Sequence, residues 1–457
     1  METRPWRVAV VVSAVACGSG IGGCGDASPS TSDATGPVCS TSAAFTAFAP
    51  SSDCSAAALS VSPALCPGAT VCPVMVLDQL QCSQSAYGPW VTPFGTDGAS
   101  VYVVTNVNTF RSRVFTLPRG SPPSAQDIGE LSAATNAMRT DALGRRHILA
   151  GEMPGLWEVR ESIDGWTRVA VAQAPVLPSG NIDAIMGVDA RFVDDETAHA
   201  VAVRLSDNAA LLESRSGSCW TQEVIVDDVF AWPGIDVDST GQPWVAWFSG
   251  SANTILLRLR EPNGAQRTLA VFSPWVPNIR DAPRVVTGGV EGASEWPVVA
   301  AKRPDGLHVL IPDTTGSSWQ DRIVPGSREG SAPGSACPSS STDLSSEWGI
   351  ARAANGKIYV AHVEAEKSMD SSLGLELYDD RGCQETASAT DGTMDVVFSR
   401  LDAVAFTDVL RVRLDSGGAP YPAFEMSVRG NALLVAVGMN SPNGIDLRYF
   451  EVDVSGL

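Results

Sequence analysis

From about Tyr87 onward, apolar and polar positions alternate in short runs. Groups of Val, Ile, Ala and aromatic residues are punctuated by Gly, Asp, Asn and Pro. No stretch sustains a helical period, so the pattern predicts strands joined by tight turns. The turns recur in the same surroundings: Asp or Gly, a turn, then a strand carrying an aliphatic-Ala pair. The clearest copy is Ile235-Asp236-Val237-Asp238-Ser239-Thr240-Gly241-Gln242-Pro243-Trp244-Val245-Ala246-Trp247. Thr140-Asp141-Ala142-Leu143-Gly144 leads in the same way to Leu149-Ala150, and Asp194-Asp195-Glu196 to Val201-Ala202. Glu295-Trp296-Pro297 leads to Val299-Ala300, Ala354-Asn355-Gly356 to Val360-Ala361, and Asp415-Ser416-Gly417-Gly418 to Pro422-Ala423. Thr96-Asp97-Gly98 leads to Val103-Val104, with the alanine replaced.

Seven units at spacings of roughly 45 to 60 residues match the scale of propeller blades. The expected fold is all-β, a seven-bladed β-propeller behind an N-terminal disulfide-rich segment. Six or eight blades are the alternatives, because the first and fifth units are the weakest copies. Ala150, Ala202, Ala246, Ala300, Ala361 and Ala423 are expected on second strands, where a small side chain lets neighbouring sheets pack. One blade cannot bury both faces alone, so the ring must close. Val409 to Leu414, Ala419 to Val428, Asn431 to Met439 and Ile445 to Val454 read as four consecutive strands of the last unit. Whether the first unit lends or receives a strand stays open.

A second recurrence places Trp after a turn: Asp164-Gly165-Trp166, Gly217-Ser218-Cys219-Trp220 and Gly316-Ser317-Ser318-Trp319. This resembles a degenerate Asp-box, Ser-x-Asp-x-Gly-x-Thr-Trp, of the BNR-type propellers seen in sialidases and related secreted proteins. Gly316, Ser318 and Trp319 match its last half, Gly217 and Trp220 less of it, and no copy carries the whole pattern. The resemblance spans 87–457 and implies fold more than activity. Sialidase-like catalysis would need an arginine cluster, a nucleophilic Tyr with a Glu partner, and an acid Asp. Arg139, Arg284, Arg352 and Arg411 are the arginines on predicted innermost strands.

Residues 1–23 read as a lipoprotein signal peptide. Arg4 and Arg7 precede a short apolar run, Val8 to Ala16, too short to span a bilayer. Ile21-Gly22-Gly23-Cys24 resembles a lipobox, which would make Cys24 the lipidated N-terminus; Ala14-Val15-Ala16-Cys17 is a poorer match. Residues 24–38 have the composition of a flexible tether. Gly25 rather than Asp after Cys24 favours the outer membrane. Gly18, Gly20 and Gly23 match GxGxxG, but no strand–helix context follows. The remaining cysteines are Cys39, Cys54, Cys66, Cys72, Cys82, Cys219, Cys337 and Cys383. In an exported chain these are disulfide candidates. Five lie in a Cys-rich segment, 39–86, and three in the propeller, 87–457. Full pairing therefore demands at least one bridge between the two regions.

The net charge of −20, with 31 basic against 51 acidic residues, excludes a nucleic-acid partner. Motifs for chemistry are sparse. There is no GxSxG and no HExxH. His147, His199, His308 and His362 lie in or beside predicted strands and read as structural. Asp236 and Asp238 have spacing for a calcium site, weighed against simple turn capping. Glu364, Glu366 and Asp370 follow the His362 strand, in a connection expected to overhang the ring. Trp166, Trp220 and Trp319 read as blade core. Trp90, Trp157, Trp275, Trp296 and Trp348 are the candidates for a sugar-stacking platform. No catalytic residue is assigned. The expected function is a non-catalytic cell-envelope module binding a protein or glycan, with membrane contact through the N-terminal lipid. An exo-acting glycosidase or lyase is the alternative.

Overall fold

The computed structural model describes residues 38–39, 43–44, 75–79 and, with internal gaps, 85–457. Cys24 and the tether up to residue 37, Cys54, Cys66, Cys72, Cys82, Cys337 and Cys383 lie outside the described residues. So do Trp275, Glu295, Glu366, Asp370 and Asp415.

Seven antiparallel sheets of four main strands follow one another along the chain, at 85–129, 136–173, 185–226, 234–272, 284–323, 348–414 and 420–453. The first strands of the sheets are Ser85–Phe94, Asn136–Thr140, Ile185–Phe192, Gly234–Val237, Arg284–Val286, Trp348–Arg352 and Pro420–Arg429. Each touches the next, and the seventh touches the first, so these strands line a closed ring. The fold is a seven-bladed β-propeller with first strands innermost.

Burial follows from that radial order. Second and third strands have a blade on either side and are buried on both faces. Thr197–Arg204 has six consecutive buried residues, and Gly306–Pro312 is buried throughout. Such strands read as continuous apolar runs for the same reason as buried parallel strands. Outermost strands such as Trp319–Ile323 face water. The core is divided accordingly into seven apolar clusters, one in each seam between neighbouring blades.

The small-residue column is present in blades two to six. Ala150, Ala202, Ala246, Ala300 and Ala361 lie on second strands and are fully buried. Ala423 does not belong to it. It lies on Pro420–Arg429, the first strand of blade seven, and the equivalent alanine is Ala436, fully buried on Ala432–Ser441. The sequence-based alignment anchored on the wrong turn because blade seven begins one strand later than the repeat suggested. For the same reason the strand read at Val409 to Leu414 belongs to blade six, as the outermost strand Ala405–Leu414.

Blade seven obtains its fourth strand from Met75–Gln79, within the stretch read as Cys-rich segment. That strand pairs antiparallel with Gly444–Asp453 and closes the ring. Two shorter strands precede it. Val38–Cys39 adds to the outer edge of blade three, and Ala43–Ala44 to that of blade two.

The recurrent Asp and Asn residues cap turns between first and second strands. The Asp141 carboxylate accepts the N–H groups of Leu143 and Arg145, and Asp194 those of Glu196 and Thr197. Asp238 accepts from Thr240 and Gln242, and Asn355 from Lys357. These Asx turns satisfy amides that would otherwise face solvent or core unpaired. Asp313 does the same between the third and fourth strands of blade five, where Thr315, Ser317 and Ser318 all donate to it. It stands one position before the Asp of the Asp-box pattern.

Candidate functional site

The innermost strands enclose an axial cavity of about 380 Å³. Every blade contributes: Thr92 and Pro93, Arg139 and Thr140, Arg191 and Phe192, Asp236, Arg284 to Thr287, Ile350 to Arg352, and Glu425 to Val428. These residues sit mostly toward the C-terminal ends of first strands. The cavity therefore lies toward the face that carries the turns between first and second strands.

Ionic contacts run around the axis from blade to blade. Arg139 of blade two donates to Asp189 of blade three at 2.8 Å, and lies 3.6 Å from Glu425 of blade seven. Arg191 donates to Asp189 at 3.1 Å and to Asp236 of blade four at 2.9 Å. Asp236 also accepts from the Thr287 hydroxyl and amide of blade five, at 2.9 and 2.8 Å. Arg284 of blade five reaches Glu425 at 3.1 Å. Thr92 of blade one shares a 3.0 Å hydrogen bond with Thr140.

Among the described residues the ring holds four guanidiniums against three carboxylates. Burial alone would raise the Asp189 carboxyl, but Arg191 and Arg139 override it and hold the group down at about 2. Burial would likewise lower Arg191, but Asp189 and Asp236 raise it above the ordinary arginine range. Arg139 moves the other way, lowered by burial first and by the positive charge of Arg191 next. The cluster is crowded with cations, and the fourth arginine is the least compensated. Among the described residues Arg352 makes no ion pair; it donates to the Gly356 carbonyl at 3.4 Å. Its guanidinium occupies the space a side chain at Gly288 would take, since a Cβ there would fall 1.9 Å from Arg352 Nη1. Gly288 also has φ +90°, a backbone conformation that favours glycine.

Of the four arginines singled out in the sequence, Arg139, Arg284 and Arg352 converge here. Arg411 does not: it lies on the outermost strand of blade six and pairs with Asp395 at 3.1 Å. Arg191 and Asp189 were missed. They sit at alternate positions of an innermost strand, i and i+2, so both face the axis. That spacing was readable, but it carried no meaning without the strand's radial position.

The calcium candidates separate. The Asp236 carboxylate points to the axis and is taken by Arg191 and Thr287, while Asp238 folds back onto its own turn and accepts from Trp244 as well. Their side chains do not converge on one cation. The expected overhang at blade six also moves. The connection after Ile358–Ala365 leaves from the end of the strand where His362 pairs with Trp348, whereas the cavity is lined by residues paired with Ile358 to Val360. It departs from the end of the blade opposite the cavity.

The histidines are held inside the blades. His147 bridges Asp141 and Glu158 at 3.0 and 2.7 Å, and His199 joins Ser214 to the Gly241 carbonyl of the next blade. His308 lies between Asp305 and Asp321, and His362 is fully buried. Trp166, Trp220 and Trp319 open fourth strands, the first two buried. The platform candidates are dispersed. Trp157 is covered by Arg168, Trp348 lies under Arg284, Trp90 packs on Tyr102, and Trp296 meets Trp244 edge-on.

No protein-family model matches the chain, and no curated protein does. Solved structures similar to it share little sequence with it. One is the SapL1 lectin in complex with alpha methyl fucoside (14% identity, 68% of this chain and 94% of that one, TM-score 0.39). Another is the NanB sialidase of Streptococcus pneumoniae (8%, 85% and 71%, TM-score 0.42). A third is the polysaccharide lyase Uly1 (8%, 81% and 90%, TM-score 0.32). The fold assignment rests on the strand order described above.

Proposed function

We propose that the chain is an exported, lipid-anchored, non-catalytic binding module, and that it takes the acidic group of a glycan in the axial cavity. The observation that carries this reading is Arg352, which has no ion pair among the described residues, beside a ring of three further arginines. A carboxylate entering there meets a planar, bidentate donor. Thr92, Thr140, Thr287 and Ser427 line the same space and would serve sugar hydroxyls. The volume falls in the ordinary range for small-ligand sites. The acidic exterior does not oppose this, because a cavity of opposite sign focuses the field locally.

The non-catalytic part rests on the ion pairing of the axial carboxylates. General acid catalysis at neutral pH needs a group poised near 7. The axial carboxylates Asp189, Asp236 and Glu425 are each paired with guanidinium, and Asp189 is held near 2. The described lining carries no His, Cys, Lys or Tyr. Tyr102, Tyr359 and Tyr449 are all but fully buried inside blades.

The test is a glycan array carrying carboxylated and neutral sugars, probed with the mature chain and with Arg352→Ala. Binding confined to acidic sugars and weakened at least tenfold by the substitution is expected. Equal binding to neutral sugars, or a blank array, overturns the ligand. Release of sugar on the array overturns the non-catalytic assignment and favours the glycosidase or lyase.

A further inference from the structure

The strands that precede blade one lie on the outer edges of other blades. Val38–Cys39 pairs with Cys219–Val226 of blade three, Ala43–Ala44 with Gly165–Gln173 of blade two, and Met75–Gln79 with Gly444–Asp453 of blade seven. Along the chain, this N-terminal segment therefore visits blades three, two and seven, against the order in which the blades follow. The first two of these strands lie on neighbouring blades. Its described strands form a strap on the outer wall of the ring.

A strand of two residues has little hold of its own, because isolated pairings this short are marginal in water. The register supplies a stronger fastening. Val38 stands opposite Trp220, and Cys39 directly opposite Cys219. Directly opposed residues of an antiparallel pair have Cα atoms about 4.5–5.5 Å apart. A disulfide spans about 4.4–6.8 Å. Cys219 carries a disulfide bond. We infer that its partner is Cys39, and that this cross-link fastens the strap to blade three. It is the bridge between segment and propeller that the odd number of cysteines on each side demands. Thiol–disulfide exchange with a disulfide-bearing oxidant makes it. One cysteine forms a mixed disulfide with the oxidant. The thiolate of the other then attacks that sulfur, and the oxidant leaves as its dithiol. The inference stands independently of the ligand reading.

The bond closes a loop that contains blades one and two entire, so it restrains the unfolded chain over a long span. The test is peptide mapping of the full mature chain, thiols blocked, with and without reduction. A single linked species joining the Cys39 and Cys219 peptides, lost on reduction, is expected. Cys219 found free or joined to another cysteine overturns the pairing. The Cys39→Ser chain should expose Cys219 to a maleimide in the native state. Its thermal midpoint should fall by about 5 °C. The Cys39→Ser/Cys219→Ser chain should fall no further. A midpoint that does not move overturns the fastening, whatever the map shows.

Discussion

Two seams of the same ring solve the same packing problem with opposite chemistry. Between blades six and seven the interface is apolar: Phe398, Phe424 and Phe450 interlock with Val and Leu, and Phe398 meets Phe450 edge-on at 6.3 Å. Between blades two and three, seven of the thirteen core residues are alanine: Ala137, Ala172, Ala190, Ala198, Ala200, Ala202 and Ala209. The small side chains leave room for charge. His147, 2% exposed, joins Asp141 to Glu158, and Arg215 of blade three reaches Glu158 of blade two at 2.9 Å. The His147 ring stacks on Phe192, and Arg215 lies over Phe192 and Trp220. Alternation along Ala209–Ser216 turns Glu213 to the same side as Ala209, Leu211 and Arg215. Neither Glu213 carboxylate oxygen has a hydrogen-bond partner among the described residues, and burial pushes its pKa up to about 8.

The difference teaches where the protein senses protons. Glu213 holds a proton in the folded chain that the unfolded chain releases above about 4.5. The seam therefore loses stability as pH climbs from there toward 8. Burial would lower His147, but the bonds to Asp141 and Glu158 raise it. Its contribution is complete below about 6.5 and is lost as pH rises through the raised value. Both groups weaken the seam between blades two and three in alkali. Glu158 is lowered, against burial, by His147 and Arg215, so its share is lost only in acid.

The comparison breaks or sharpens under substitution. The largest effect is expected at Phe450→Ala, which opens a cavity costing about 3–5 kcal/mol in urea unfolding, equal at pH 6 and pH 9. A pH-dependent loss would mean that charge works in the apolar seam too. Arg215→Met strands Glu158 in the charged seam and should cost about 3 kcal/mol at pH 7. A cost below about 1 kcal/mol would show the network to be solvated there. Glu213→Leu should instead stabilise, by a few kcal/mol at pH 8, with the gain fading toward pH 4.5. The same substitution with no pH slope would remove Glu213 as the sensor. Smallest is Asn355→Ala in the apolar seam, where Asn355 donates to Tyr359 and to the Val454 carbonyl. Its loss should cost about 1 kcal/mol without pH dependence.

Much of this architecture was legible. The turn Asp residues, the aliphatic-Ala pairs of blades two to six and the seven-fold count all follow from local pattern. Ala423 was misplaced because the Asp415-Ser416-Gly417-Gly418 stretch, which stands between blade six and blade seven, reads like a turn within a blade, and only sheet pairing tells a first strand from a second. Arg411 was misplaced for the related reason that radial position is a property of the ring rather than of the strand. The axial site was half legible. Arg139, Arg284 and Arg352 were named as arginines on inner strands, but their convergence, and the place of Arg191 and Asp189 among them, depends on contacts between blades. The charged seam left no sequence signal beyond its alanines, since His147 and Arg215 are far apart in the chain.

The fourth strand of blade seven sets the timing of folding. Met75 pairs with Tyr449, so one edge of the closing sheet is made before all seven blades and waits for a partner in the last of them. Pairing across so long an interval is entropically slow, and until it happens an open strand edge is exposed to other chains. A circular permutant that places 75–79 after Asp453 would make this contact local. It should fold faster and aggregate less during refolding, while its native stability changes little.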